Sequence, residues 1–158
     1  VAIIRKIKIR LSALLQAIVR RPEFVQIGAL CYRVGQHGPD VLLITTRGTG
    51  RWTIPKGWPI KGKDSAGTAL QEAWEEAGIR EGKCSAKSIG SYASSKEVYL
   101  SFKKHTRIYV YLVSVTRVKE SFPESHERTL KWQHHKAAAN MVDEPELRDF
   151  LFDLDKLI

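Results

Sequence analysis

Cysteine is nearly absent: Cys31 and Cys84 are the only two among 158 residues. They stand far apart, in no metal-ligand spacing, and two cannot build the disulfide framework that holds a small secreted domain together. Both read as reduced thiols, which points to a cytoplasmic setting. Long apolar runs are missing too; none approaches the ~20 residues that span a bilayer, so no transmembrane segment is expected. Neither an internal repeat nor a low-complexity tract is present, which excludes solenoids and leaves an ordinary folded domain. Acidic residues are in deficit, with 17 Asp and Glu against 26 Lys and Arg, a formal net charge of +9. That surplus favours an anionic partner: nucleic acid, a phosphate-rich small molecule or an acidic membrane surface.

The deficit is sharpest at the start. No acid precedes Glu23, and Arg5, Lys6, Lys8 and Arg10 surround Ile4, Ile7, Leu11, Leu14, Leu15 and Ile18 at helical spacing. Residues 1–22 therefore read as a basic amphipathic segment, expected to pack on its own domain or a partner, with a membrane surface as the alternative. Residues 23–158 read as one domain. Strand patterns run over Phe24–Val34, over Val41–Thr46 after "GQHGPD", and over Arg51–Ile54 up to Pro55. The next segment predicts a helix with Asp64 or Ser65 as N-cap, running to about Ala77 and closed by a left-handed Gly78. Its Ala66, Ala69, Ala73 and Ala77 form a small-residue stripe that can lie close against a sheet.

Further strands are predicted at Ser85–Tyr92, Val98–Phe102 and Arg107–Val118, then a short one at Leu130–Trp132 after the polar loop "KESFPESHERT". Helical pattern returns at His135–Met141 and Glu144–Leu157. Together these give a mixed sheet with helices on its faces, an α/β layered domain.

Against the basic background, "QEAWEEAGI" at residues 71–79 stands out, because Glu72, Glu75 and Glu76 converge within about a turn of helix. Like charges at this spacing cost an isolated helix a few tenths of a kcal/mol per pair. A solvated polar face is one reading; the other is a bound cation. The preceding stretch, "RWTIPKGWPIKGKDSAG", supports the second: Gly57 frees the backbone near the carboxylates, and Arg51, Lys56, Lys61 and Lys63 bring positive charge alongside. Hard oxygen ligands flanked by lysines describe a magnesium–phosphate site.

Gly57, Glu72, Ala73, Glu75, Glu76, Gly78 and Ile79 resemble the Nudix box, in register without a gap. "GALCYR", "RWTIPKG" and "KKHTRIYVYLVSVT" resemble the diphosphoinositol polyphosphate phosphohydrolases and the related diadenosine polyphosphate hydrolases of that superfamily. Two positions depart from the box: Lys63 replaces a Glu and Gln71 replaces an Arg, so the ionic contact those positions could make is missing. The resemblance implies an α/β/α sandwich with a strand–loop–helix catalytic motif. It also implies hydrolysis of a diphosphate, with Mg²⁺ or Mn²⁺ bound by Glu72, Glu75 and Glu76 and the Gly57 carbonyl as a further candidate. Glu75 and Glu76 are then the catalytic carboxylates, with Glu75 the choice for general base and Glu127 its rival.

Lys103, Lys104, His105, Arg107 and Arg128, with Arg51 and Lys56, are candidates to hold the outer phosphates. Trp52, Trp74 and Trp132 read as core rather than base-stacking platforms. His134 and His135 lack partners at zinc spacing and read as surface or helix-start residues. The alternatives are an RNA 5′-end pyrophosphohydrolase, a nucleoside triphosphate pyrophosphatase and a catalytically silent ligand sensor. No recognisable RNA motif is present, so nucleic acid is the second choice of partner.

Overall fold

Strand β1 (Phe24–Gly35) is buried without a break from Gln26 to Cys31, the pattern of a strand covered on both faces. The computed structural model describes residues 24–94 and 106–158. The basic N-terminal segment, the strand predicted at Val98–Phe102, and Lys103, Lys104 and His105 lie outside the described residues. β1 runs parallel to β7 (Thr106–Val118), from Phe24↔Thr106 to Tyr32↔Ser114. On its other side it pairs antiparallel with β2 (Gly38–Thr45) and, near its start, with β4 (Lys56–Gly57). β3 (Trp52–Thr53) and β8 (Leu130–His134) flank β2. β5 (Ile79–Cys84) and β6 (Gly90–Ser94) pair antiparallel with β7.

Alternation divides the core between the two faces of this mixed sheet. Ile27, Ala29 and Cys31 of β1 and Val113 of β7 meet Ala69, Ala73 and Ala77 of helix α1 (Ser65–Ala77). Leu30 and the β7 residues Ile108, Val110 and Leu112 point the other way, towards helices α2 (His135–Ala139), α3 (Pro145–Phe152) and α4 (Leu154–Leu157). The result is an α/β/α sandwich. Each aliphatic side chain buried in it contributes on the order of 1.5–3 kcal/mol. Among the described residues, no helix is long and apolar enough to cross a membrane.

Local signals fix α1. Oδ1 of Asp64 accepts the Gly67 N–H at 2.7 Å, a cap worth ~1 kcal/mol. Gly78 closes the helix at φ 69°, its N–H directed to the carbonyls of Ala73 and Trp74. The chain then enters β5 at once, which corrects the strand predicted at Ser85–Tyr92: that stretch joins two strands, and only its last residues belong to one. The Ser85 hydroxyl donates to the Lys87 carbonyl and accepts the Leu112 N–H, a side-chain alternative to the regular ladder.

The helix predicted over Glu144–Leu157 also divides, at Asp153 (φ −94°, ψ 12°). There the Lys156 N–H bonds to the carbonyl three residues back, a tighter turn that still delivers Leu151 and Leu154 to one core. At the start of α2, His135 is buried and its ring Nδ1 donates to the Leu151 carbonyl at 2.8 Å.

The segment between β7 and β8 folds back over α1. The Lys119 N–H bonds to the Gly78 carbonyl at 2.8 Å, and the Glu124 N–H to the Glu75 carbonyl at 3.0 Å.

Candidate active site

β4, the loop after it and α1 are tied together by polar contacts between elements far apart in sequence. The Lys56 N–H donates to Oε2 of Glu76 at 2.9 Å, and the Ile60 N–H to the Thr68 hydroxyl at 3.4 Å. Gly57 lies against Glu72 so closely that a methyl group there would overlap the carboxylate. A larger residue there would push the Glu72 carboxylate aside. One turn further along α1, Oε1 of Glu75 accepts from the Gln71 amide.

The loop ahead of β8 completes the cluster. Nη2 of Arg128 pairs with Oε1 of Glu76 and, at 2.8 Å, with Oε2 of Glu124. Nη1 of the same guanidinium donates to the Thr45 carbonyl at 3.0 Å. Both members of the Arg128–Glu76 pair are buried, with side chains 6% and 9% exposed.

The site carries more negative charge than this arginine answers. Burial pushes the Glu72 carboxyl up to about 7, helped by Glu76, Glu75 and Glu124. Glu76 is also raised, chiefly by burial, against the opposing pull of the Lys56 N–H and Arg128. Partly buried carboxylates pressed together are groups that a hard divalent cation neutralises, and Glu72, Glu75 and Glu76 beside Gly57 are the residues that could hold one. Among the described residues, however, no three acidic, His or Cys side chains already converge as a metal cage. Glu75 is turned to Gln71 and Glu76 to Arg128.

The expected phosphate contacts separate in the structure. Arg107 has Nη1 3.0 Å from the Ser91 hydroxyl, and the register Tyr109↔Ile27↔Gly57 puts Arg107 and Tyr109 on the α1 face of the sheet. Arg51 is 3.6 Å from Asp143, and Nζ of Lys56 is 3.2 Å from the Thr53 hydroxyl. Arg128 is directed at protein groups rather than at an open ligand site. Lys104 and His105 lie outside the described residues. Lys63 is exposed.

Glu127, the rival base, is half exposed and pairs with Arg47 at 3.2 Å, whereas Glu124 reaches the carboxylate cluster. Glu124 went unseen in the sequence because the loop offers Glu120, Glu124 and Glu127 with no periodicity to rank them. Trp58 was also missed. It directly follows Gly57, is 53% exposed, and meets Phe24 edge-on at 6.0 Å between ring centroids. Its signal was an indole held between a loop glycine and Pro59, outside any strand pattern.

The NUDIX domain pattern matches residues 25–154. Diphosphoinositol polyphosphate phosphohydrolase 3-beta of Bos taurus is 30% identical over 96 residues, covering 61% of this chain and 54% of that protein. Human diphosphoinositol polyphosphate phosphohydrolase 2 shows the same identity over 61% of this chain and 48% of its own length. The chain thus spans about half the length of these curated relatives. In architecture it is similar to a C. elegans Ap4A hydrolase, with a TM-score of 0.68 at 20% identity over 86% of this chain and 98% of that one. It is similar too to the E. coli dihydroneopterin triphosphate pyrophosphohydrolase, with a TM-score of 0.64 at 15% identity over 87% of this chain and 100% of that one. At these identities the structural likeness speaks for the fold alone.

Proposed function

The chain belongs to the NUDIX domain family, and we propose that it is a metal-dependent hydrolase of the diphosphate linkage in a highly phosphorylated small molecule. The observation that carries this reading is the buried Glu76 and the half-buried Glu72 beside Gly57, with Glu75 and Glu124 adding charge of the same sign. Such a cluster is costly without a cation. The names of the curated relatives favour a diphosphoinositol polyphosphate, and that of the C. elegans structure a dinucleoside polyphosphate.

Glu72, Glu75 and Glu76 would hold Mg²⁺ or Mn²⁺, with the Gly57 carbonyl as a further donor. A divalent ion there would supply charge neutralisation for the phosphate oxygens and help the attacking water to lose its proton. Water adds to one phosphorus while the bridging P–O bond breaks, and the proton passes to a carboxylate. Glu75, whose Oε1 accepts from Gln71, is our choice to take it. Arg107, on the α1 face of the sheet, is our candidate to bind outer phosphates, with Arg51 and Lys56 as further cations.

Phosphate release, with and without Mg²⁺, from an inositol pyrophosphate, dinucleoside polyphosphates, nucleoside triphosphates and 5′-triphosphate RNA tests the proposal. Mg²⁺-dependent turnover of the first two classes is expected. Preference for triphosphates or RNA would replace the substrate class, and no turnover of any would favour a silent sensor.

A further inference from the structure

Arg128 is 52 residues from Glu76 in sequence, yet its guanidinium lies inside the carboxylate cluster. All of its contacts described above are to protein: Glu76, Glu124 at 2.8 Å through both Nε and Nη2, and the Thr45 carbonyl at 3.0 Å through Nη1. A side chain only 6% exposed is not a surface arginine awaiting phosphate. The pairing also explains why the box glutamates do not form a cage. Oε1 of Glu76 faces Arg128 while Oε2 is fixed by the Lys56 N–H at 2.9 Å.

We propose that Arg128 is a stand-in cation for the metal centre: it holds Glu76 when no metal is bound, and its withdrawal from Oε1 is coupled to metal binding. This rests on the metal reading above, and makes Arg128 a positioning residue that sets metal affinity. The contacts allow such an exchange without unfolding. Glu124 and the Thr45 carbonyl keep the guanidinium docked, while Glu76 pivots about the bond from the Lys56 N–H to its Oε2 and carries Oε1 away from Arg128. The arrangement also accounts for neutral Gln71: the positive charge that the box pattern carries on the helix is here brought in by the loop ahead of β8.

A buried cation beside the ligands repels an incoming divalent ion, so removing it should tighten metal binding. The test is calorimetric titration of Mn²⁺ into metal-free protein, without substrate, for wild type, Arg128→Lys and Arg128→Met. Arg128→Met is expected to bind Mn²⁺ about fivefold tighter or more, to melt earlier without metal, and to keep the wild-type circular dichroism spectrum; Arg128→Lys should fall between.

Unchanged or weaker Mn²⁺ binding by a folded Arg128→Met protein would overturn the proposal. Wild type that binds no Mn²⁺ would instead overturn the metal reading beneath it. Should Arg128→Met fail to fold, the wild type supplies the answer through the Arg128 Nε–H resonance followed by NMR during a Mg²⁺ titration. The resonance is expected to shift and saturate with the metal; one that never moves refutes the exchange.

Discussion

The backbone N–H of Lys56 donates to Oε2 of Glu76 at 2.9 Å, fastening the strand before the loop to the helix after it at a candidate metal ligand. Glu76→Gln keeps an oxygen for this bond but removes the charge. Turnover should fall by about 100-fold or more, with a cooperative melt retained. A variant keeping more than about a tenth of the wild-type rate, far above that loss, would contradict the role given to Glu76.

Gly57→Ala should fail for a steric reason. The added methyl would overlap the Glu72 carboxylate, which must move and displace a ligand candidate. Because the displaced group is the far end of a flexible side chain, denaturant unfolding should change little while most of the activity is lost. Gly35→Ala is the control, because its new methyl would make only ordinary contact, 3.5 Å from the nearest atom. Equal losses at both positions would rule out the close approach as the cause.

A pH dependence follows from Glu72, whose carboxyl is pushed up to about 7 by burial first and by Glu76, Glu75 and Glu124 after it. In the unfolded chain it titrates near 4.5, so the folded state binds its proton more tightly. The stabilisation is complete below about pH 4.5 and is lost as pH rises through about 7. Glu72→Gln mimics the protonated form. Its melting temperature, relative to wild type without metal, should therefore climb across this window. A difference that stays flat from pH 4.5 to 7.5 would mean that Glu72 titrates normally.

Arg107→Ala tests the outer phosphate contacts. Losing a charge-assisted hydrogen bond should raise KM about tenfold or more with kcat little changed. The penalty should grow with phosphate number along a dinucleoside series and shrink at high salt. Equal kinetics for all members of the series would remove Arg107 from the site.

Where signals were local, the sequence was informative. Helix α1 could be delimited because Asp64 caps its start and Gly78 ends it, and the alanine stripe named the face it buries. β5 was hidden because "IREGKC" places charges and Gly82 at an exposed sheet edge, with no strict alternation to mark it. The box glutamates followed from spacing and resemblance. Glu124, and the placement of Arg128 on Glu76, could not, because they depend on the Glu124 N–H reaching the Glu75 carbonyl, a contact between a loop and a helix 49 positions apart in the numbering. The sequence marked Arg128 as a candidate phosphate contact, and only the fold shows it buried against Glu76 and Glu124.

The most direct measurement of the central claim is phosphate release from an inositol pyrophosphate or a dinucleoside polyphosphate as Mg²⁺ is titrated, for wild type and for Glu72→Gln/Glu76→Gln. The predicted result is no turnover in chelator, saturation with Mg²⁺ in wild type, and none at any Mg²⁺ concentration in the double variant. Turnover that persists in chelator, or in the double variant, would contradict a metal-dependent centre built on these glutamates.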